Sequence, residues 1–380
     1  MPDTHLCLVN SLRAWGGAEL WFLDTAVGLR ERGHRVSLVA QPDSALRRRA
    51  LAAGVPVRAI PIRCDAAPWT LARLGAHFRR AGVTAVVANL TKDLKAAAVA
   101  GRLAGVRTIL ASRESDFPLK NKPYYRWYFT RLASGLLVNS EATRQTVLQS
   151  APWLAAERVH LLYKGIDLEK FRPREQEQEQ EQDQEQEQNG RDPGPVVGFA
   201  GQLIPRKGLA TLMDAWTTLT RERPTARLRL AGAGPLRPDL ERWRAQLPQP
   251  HKVELPGQVE DMPRFLRGCR LLVMPSLSEG FGLAAAEALA CGVPVVATRA
   301  SSLPEIVLHR RTGLLVPVDD APALAAAMRE LLDDPTTARA LGAAGRAHVA
   351  RNFSRERTLD RLAALTGLAP SPSTGERPSP

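Results

Sequence analysis

The segment from Pro275 to Thr298 constrains the fold of this chain more than any other stretch. It has a glycine-punctuated turn at Gly280 and Gly282, an alanine-rich helix that Gly292 ends, and an apolar strand over 293–298. Glycine lets the main chain come close to a ligand, and the first N–H groups of a helix lack internal partners. With a helix dipole of roughly half a positive charge, this turn predicts an anion site that suits phosphate.

Two carboxylates, Glu279 and Glu287, flank that turn. Glu287 lies two helical turns beyond Gly280, so the two acids would meet different parts of an elongated ligand. Carboxylates accept hydrogen bonds from vicinal hydroxyls, each bond contributing about 1.5–3 kcal/mol. A ligand with phosphate in its middle and hydroxyls at both ends, the layout of a nucleotide-sugar, fits this pattern. The alternative is that both acids are solvated charges on a surface helix.

Apolar strands alternate with helical stretches in both halves of the chain. This alternation predicts an α/β fold with doubly wound parallel sheets, in which ligands bind beyond the carboxyl ends of the strands. The predicted strands cover 6–10, 36–40, 85–88, 108–111 and 135–139 in the first half, and 196–200, 227–231, 253–255, 271–274 and 293–297 in the second.

The block from Glu279 to Glu287, with Glu-Gly-Phe-Gly at its head and Gly-x-Pro-Val-Val-Ala-Thr behind it, resembles a family signature. It is similar to that of the retaining, family four-like glycosyltransferases with the E-x7-E motif. The resemblance continues at 196–208, 228–235, 255–258 and 303–306. It implies the GT-B fold, in which two Rossmann-like domains face a central cleft.

The resemblance also implies an activity. It is metal-independent, retaining transfer of a sugar from a nucleotide-sugar donor to a cell-surface glycan or lipid-linked acceptor, as in lipopolysaccharide or polysaccharide biosynthesis. In the family's front-face mechanism the departing phosphate helps to deprotonate the acceptor, so no protein nucleophile is needed. No cofactor and no metal ion are expected.

Five regions follow from composition and resemblance together. Residues 1–172 are predicted to form the acceptor domain, and 196–351 the nucleotide-sugar-binding domain. The Glu/Gln-rich stretch 173–195 cannot bury a core and is predicted to be a linker. A helix over 352–368 would pack back on the first domain, as in the resembled family, and 369–380 would be a disordered tail.

The diphosphate needs a cationic partner, because breaking the sugar–phosphate bond leaves negative charge on the phosphate. Arg206 and Lys207, in Pro-Arg-Lys-Gly after the first strand of the second domain, are the candidates. In the resembled family an Arg and a Lys hold the diphosphate. Lys207 matches that Lys, whereas Gln202 stands where the family has Arg. The alternative for Arg206 and Lys207 is a surface pair in a turn.

The resemblance assigns further donor contacts. Glu287 would accept from the ribose hydroxyls, and Glu279 would lie beside the donor sugar as a catalytic residue. The base is expected near Gln258 and Val259. Four residues at the turn would lie at the donor, the first three through backbone N–H groups: Gly280, Phe281, Gly282 and Leu283.

In the first domain, Gly16 and Gly17 match the family's glycine-rich loop, which faces the donor diphosphate and the acceptor. A plain strand-to-helix turn is the alternative explanation of these two glycines. Where the family often has a His, residues 111–116 have none. Arg113 and Asp116 are therefore predicted as acceptor contacts.

The net charge of +13 lies entirely in the first half of the chain. Lys and Arg outnumber Asp and Glu by 26 to 13 up to Pro173, whereas from Arg174 onward both number 26. An acidic small substrate or an anionic membrane surface would suit this excess. Residues 47–49 and 119–131 are the densest basic spots, with solvated helix faces as the equal alternative. Nucleic acid is not expected, because no reading motif is present.

No stretch approaches eighteen apolar residues, and the first residues lack a signal-peptide core, so the protein is expected to be cytoplasmic, with at most peripheral contact with the inner membrane face. The four scattered cysteines are expected to be free thiols.

A non-catalytic nucleotide-sugar-binding scaffold remains an alternative function, supported by Gln202 and Arg113, where the sequence departs from the family. A dehydrogenase is disfavoured, because Gly232-Ala-Gly234 lacks the third glycine of a dinucleotide fingerprint.

Overall fold

The computed structural model describes residues 4–62, 67–89, 91–173 and 194–368. The chain forms two compact units, the first from residues up to Gly165 together with those from Glu356 onward, and the second from Ile166 to Arg355. Nearly all of the predicted linker, the whole predicted tail and Cys64 lie outside the described residues.

The first unit contains a seven-stranded parallel sheet in the order β3-β2-β1-β4-β5-β6-β7. The strands are β1 His5–Asn10, β2 Arg35–Ala40, β3 Val57–Ala59, β4 Ala85–Ala88, β5 Thr108–Arg113, β6 Gly135–Val138 and β7 Val159–Leu161. The helices before Gly165 are α1 Gly17–Glu31, α2 Ala45–Ala52, α3 Pro68–Ala81, α4 Thr91–Leu103, α5 Pro123–Trp127 and α6 Glu141–Ser150. A π-helical turn, Tyr128–Leu132, extends α5.

The central strands of this sheet, such as β1 and β4, are buried on both faces, as is typical of parallel sheets. In β1, Cys7 and Val9 belong to one hydrophobic cluster, whereas Leu6 and Leu8 belong to another. The second cluster also contains Leu359 of the C-terminal helix. That helix therefore completes one face of the first unit's core.

The second unit contains a six-stranded parallel sheet in the order β10-β9-β8-β11-β12-β13. Its strands are β8 Val196–Ala200, β9 Arg227–Ala231, β10 Val253–Gly257, β11 Leu271–Met274, β12 Val295–Thr298 and β13 Gly313–Val316. Its helices are α7 Leu209–Glu222, α8 Arg237–Ala245, α9 Met262–Arg267, α10 Leu283–Ala290, α11 Leu303–Ile306, α12 Ala321–Asp333 and α13 Pro335–Asn352, and the last helix of the chain is α14 Arg355–Thr366.

Two glycines allow loops of the second unit to touch backbone to backbone. Gly232 follows β9 with φ 146°, and a Cβ there would lie 1.8 Å from the carbonyl oxygen of Gly201 after β8. Gly208 has φ 65°, and its Cβ would lie 1.9 Å from the carbonyl oxygen of Pro275 after β11. Only glycine permits these approaches, so the loops that follow β8, β9 and β11 are held against one another.

The predicted α/β class with two parallel sheets is confirmed, while several element boundaries differ by one to three residues, two of them for a clear reason. The strand predicted from residue 293 begins at Val295, because Pro294 has no N–H to donate to the ladder, although its carbonyl accepts from Leu272 N–H of β11 at 3.0 Å. The helix predicted from residue 352 begins at Arg355, because the preceding backbone pairs with Ile166 instead of coiling.

Candidate active site

The second unit places the predicted cationic loop and the predicted acidic turn beside each other. β8 pairs with β11 in parallel, and the sheet order reverses between these two strands. Because the carboxyl ends of parallel strands meet at one edge, the loops after β8 and β11 are neighbours, at the position where doubly wound sheets bind ligands. Arg206 and Lys207 lie in the first loop, and Glu279 lies in the second.

Lys207 and Glu279 form an ion pair in which their side chains are 13% and 6% exposed. The Ser276 hydroxyl donates to the same carboxylate oxygen at 2.8 Å. The backbone supports the pair, because Leu277 N–H donates to the Arg206 carbonyl at 2.9 Å. The structure thus joins two of the predicted catalytic residues directly. The third, Arg206, lies beside them with its guanidinium 3.5 Å from the Ser278 carbonyl.

The turn that leads into α10 is held by a serine and a glycine. The Ser302 hydroxyl lies 2.8 Å from the Phe281 carbonyl and 3.2 Å from the Glu279 carbonyl, to which it donates. Gly282 has φ 97°, and a Cβ at this position would lie 2.9 Å from Leu303 Cδ2. No described side chain caps α10, so its first N–H groups can donate to an anionic ligand.

Glu287 is a buried carboxyl on α10, 7% exposed. Burial raises the pKa of Glu287 to about 8, although the positive charge of Lys170 acts in the opposite direction. This shift favours the protonated form of the side chain. A protonated carboxyl can donate one hydrogen bond and accept others, which suits a pair of hydroxyl groups.

The other predicted donor residues of this unit have separate positions. Gln202 and Gln258 are exposed in the loops after β8 and β10, and Val259 is half-buried. Among the described contacts, none joins these residues to the Lys207–Glu279 pair. Phe281 packs edge to face on Phe353 with ring centroids 5.6 Å apart, so only its backbone is left for a ligand.

In the first unit, Gly16 is the extended N-cap of α1, and Gly17 is the first helical residue. Arg113 donates a hydrogen bond to the carbonyl of Phe117. Its guanidinium therefore holds the loop after β5, which also contains the half-buried Asp116.

A buried charged cluster in the first unit was absent from the sequence predictions. The ammonium of Lys164 lies 2.5 Å from Glu114 Oε2 and 3.9 Å from the centre of the Trp21 ring. Burial lowers the pKa of Lys164, and Glu114 opposes this shift. Nearby, Asn10 donates to Glu19 at 3.1 Å, and burial raises the pKa of Glu19. The available signal was that Asn10 ends the apolar strand β1 and that Glu114 directly follows β5.

Buried polar atoms without hydrogen-bond partners among the described residues follow β1 and β4, at the carboxyl ends of the strands of the first sheet. The Asp93 carboxylate accepts from Ser11 N–H at 3.0 Å, and Asn89 N–H donates to the Val9 carbonyl. The Ser11 hydroxyl and both amide atoms of Asn89 are buried and have no hydrogen-bond partner within the described part of the chain. Such groups are rare in folded proteins and indicate a missing ligand or water.

Comparison with known proteins decides the family. Residues 15–170 match the model for Glycosyltransferase Family 4, and residues 194–334 match that for Glycosyl transferases group 1. The GDP-mannose-dependent alpha-(1-6)-phosphatidylinositol monomannoside mannosyltransferase of Mycolicibacterium smegmatis is 32% identical over 278 residues, covering 70% of this chain and 71% of that protein. The chain belongs to the family 4 glycosyltransferases.

Two other relatives of this family 4 glycosyltransferase match over shorter lengths. The GDP-mannose-dependent monoacylated alpha-(1-6)-phosphatidylinositol monomannoside mannosyltransferase of Corynebacterium glutamicum is 34% identical, over 53% of this chain and 54% of its own length. The D-inositol 3-phosphate glycosyltransferase of Pseudarthrobacter chlorophenolicus is 35% identical, over 50% of this chain and 45% of its own length. The matches therefore span about half of these two proteins.

Solved structures support the predicted GT-B class for this family 4 glycosyltransferase. HepE of Anabaena, crystallised with UDP, aligns with a TM-score of 0.81 at 22% identity, covering 96% of this chain and all of that chain. Sucrose-phosphate synthase of Thermosynechococcus elongatus aligns with a TM-score of 0.72 at 22% identity, covering 95% and 98%. At this identity the likeness concerns the fold alone.

The described residues contain neither a cluster of metal-ligating side chains nor a membrane-spanning helix. No group of three or more His, Cys, Asp or Glu side chains in the described ranges could hold a metal ion. Metal independence of the reaction stays a prediction, because a metal ion could also be bound by the substrate. Within the same ranges, no helix has the length and apolar character needed to cross a membrane.

Proposed function

We propose that the chain is a retaining, metal-independent glycosyltransferase that moves a sugar from a nucleotide-sugar donor to a hydroxyl of a lipid-linked or cell-surface glycan acceptor. The observation that carries this proposal is the buried Lys207–Glu279 pair in front of the uncapped start of α10. A cation held by an acid, next to free helix N–H groups, is a preorganised site for a diphosphate.

The donor diphosphate would lie between the Lys207 ammonium and the first N–H groups of α10. Glu279, which also accepts from the Ser276 hydroxyl, holds Lys207 in place. A bound diphosphate would share the ammonium with Glu279, leaving that carboxylate free to accept from a sugar hydroxyl. Lys207 would then stabilise the charge that develops on the departing phosphate.

The nucleoside would extend along α10 toward Glu287. The ribose hydroxyls would pair with this buried carboxyl, and the base would lie near Gln258 and Val259, beyond β10. A buried carboxylate has lost its hydrogen bonds to water, and two ribose hydroxyls would supply hydrogen bonds in their place. Donor binding should therefore restore Glu287 toward its ionised form.

The acceptor is proposed to present hydroxyl groups to the first unit. The unpartnered Ser11 and Asn89 groups and the Asp93 carboxylate are suited to a polyol. The named relatives act on inositol phosphate or phosphatidylinositol mannosides, so an inositol- or sugar-bearing lipid is the preferred class. An acceptor of the lipopolysaccharide type also belongs to this class of sugar-bearing lipids. Arg113 and Asp116 are proposed to border the same edge.

Peripheral contact with an anionic membrane is proposed for the segment around α5. Phe117, Tyr124 and Trp127 are 57%, 43% and 50% exposed there. Basic side chains alternate with them in sequence, including Lys120 and Lys122. Exposed aromatic and cationic side chains together favour an interfacial position.

The proposal is tested first by donor binding and then by transfer. Thermal unfolding is followed with UDP, GDP, ADP and their sugars, and a nucleotide that binds should raise Tm as RT ln(1 + [L]/Kd) requires. Hydrolysis or transfer of the donor that binds is then measured with and without EDTA. The proposal requires turnover that survives EDTA and falls in Lys207→Ala, while the exposed Arg221→Gln control retains it. Tight binding without turnover would instead favour a scaffold.

A further inference from the structure

The first unit has a basic cavity that the proposed function does not use. It has a volume of about 570 Å³ and lies between β3 and α3. Three arginines, Arg58, Arg73 and Arg80, line it together with His77. None of the residues assigned above to the donor or the acceptor contributes to its wall.

We infer that this cavity is a second anion-binding site, which takes a ligand bearing one or two phosphate groups. Arg73, His77 and Arg80 are spaced so that they share one face of α3. Arg58 reaches the same cavity from β3, close enough for its charge to act on the His77 ring. Guanidinium groups from two elements therefore converge on one space, as bidentate phosphate recognition requires.

The charge of this cavity is not compensated within the described residues. Arg58, Arg73 and Arg80 form no ion pair or hydrogen bond with any described side chain. Between Asp43 and Lys92 the sequence has eight arginines and a single acid, Asp65. Uncompensated like charges around one cavity repel one another, and an anion that bridges them removes this repulsion.

The imidazole of His77, which also lines the cavity, has a ring nitrogen without a hydrogen-bond partner among the described residues. Its Nε2 atom is buried and makes no hydrogen bond to the described residues. The neighbouring buried imidazole differs, since His5 contacts the Ala81 carbonyl and the Ser37 hydroxyl, each at 2.8 Å. A phosphate oxygen in the cavity would give His77 a partner that the protein does not provide.

The rest of the wall consists of Ser37, whose hydroxyl is already bonded to His5, and of five apolar residues, Pro56, Val57, Ala59, Ile60 and Ala76. The volume falls within the range of about 300–1,000 Å³ for small-molecule sites. A phosphate on a free metabolite and a phosphate of a lipid headgroup share the chemistry that the arginines recognise. An effector site or a membrane anchor would result, depending on which of the two is bound.

The test measures binding of inorganic pyrophosphate to the full-length protein by calorimetry, in a Lys207→Gln background that weakens the donor site. Adding Arg58→Gln and Arg73→Gln should weaken binding by roughly tenfold or more, since each removes a charge-assisted contact. Pyrophosphate binding that is absent in Lys207→Gln, or unchanged by the two further substitutions, overturns the inference. UDP binding to the Arg58→Gln/Arg73→Gln protein with Lys207 intact reports on the donor site separately.

Arg79 and Arg80 provide a matched pair of controls. Both lie in the last turn of α3, where either could interact with the helix C-terminus, but only Arg80 lines the cavity. Arg80→Gln should weaken pyrophosphate binding and Arg79→Gln should not. Equal losses in both variants would overturn the inference.

Vesicles distinguish the two sources of phosphate. If Arg58→Gln/Arg73→Gln releases the protein from phosphatidylglycerol vesicles, relative to phosphatidylcholine vesicles, the site holds a lipid headgroup. If vesicle binding is unchanged while pyrophosphate binding falls, the site holds a free phosphorylated metabolite.

Discussion

Lys207 and Glu279 are separated by 72 positions in sequence and form a buried ion pair. The contact exists because β8 and β11 are adjacent in the sheet and because Gly208 lets its loop approach Pro275. The pair therefore forms only in the folded protein, and both of its residues are proposed to contact the nucleotide-sugar donor. Its contributions to stability and to catalysis can be separated by mutation.

Lys207→Ala is expected to lower turnover by about 100-fold or more, as for the loss of one preorganised donor. It should also destabilise the second unit, because Glu279 is left buried without its partner. Lys207→Met/Glu279→Gln should recover much of the stability and none of the activity. The measurements are kcat and urea unfolding, with Arg221→Gln as control. Full activity in the double variant would show that the pair is only structural.

Glu287 predicts a specific pH dependence of stability. Its pKa is about 8 in the folded protein and near 4.5 in the unfolded chain, so the folded state binds the extra proton between these values. The free energy of unfolding should therefore fall as pH rises through this window, by at most ~1.4 kcal/mol per pH unit from this group. Glu287→Gln should remove that part of the slope, as seen in urea unfolding from pH 5 to 8. Identical slopes in both proteins would contradict the assignment.

The Lys164–Glu114 pair should behave as a buried ion pair. Glu114→Ala leaves the Lys164 ammonium buried without its carboxylate and should destabilise the first unit by ~3–5 kcal/mol. Lys164→Met/Glu114→Leu should restore most of that loss, because apolar side chains can replace a buried pair. A double-mutant cycle from denaturant unfolding gives the coupling energy. Additive losses would mean that the two groups do not interact.

Gly232 is expected to be intolerant of any side chain. Alanine there would place a Cβ 1.8 Å from the Gly201 carbonyl oxygen at φ 146°, and should destabilise the protein by at least ~3 kcal/mol. Gly33 is the control, since its φ is 79° and no atom lies within 4 Å of its Cβ position. Gly33→Ala should cost only about 1 kcal/mol. Comparable unfolding midpoints for the two variants would refute the proposed backbone contact.

The central strands could be predicted from sequence to within one or two residues. β1, β4, β8 and β11 are continuous apolar runs, because parallel strands at the centre of a sheet are buried on both faces. The edge strands β3, β7 and β13 escaped prediction. β3 and β7 have three residues each and are only partly buried, so neither length nor apolar pattern distinguishes them from a loop, whereas β13 has four buried residues and was missed all the same.

The candidate site was predictable where its residues form contiguous motifs. Arg206 and Lys207 precede a glycine, and Glu279 and Glu287 share one turn-helix segment, so the local pattern together with the family resemblance indicated them. Lys164 and Glu114 share no motif. Glu114 follows β5 and Lys164 follows β7, with β6 between these strands, and only the completed sheet with its buried loops brings the two charges together.

The pairing of Ile166 with Ser354 has a practical consequence for dissecting the enzyme. The second unit is an insertion whose two ends are already hydrogen-bonded to each other, since Ile166 N–H donates to the Phe353 carbonyl at 2.8 Å. Residues 166–355 should therefore be separable as a fragment that folds on its own. The complementary piece would need a short bridge from Gly165 to Glu356, because a simple cut after residue 165 strips Leu359 from its core.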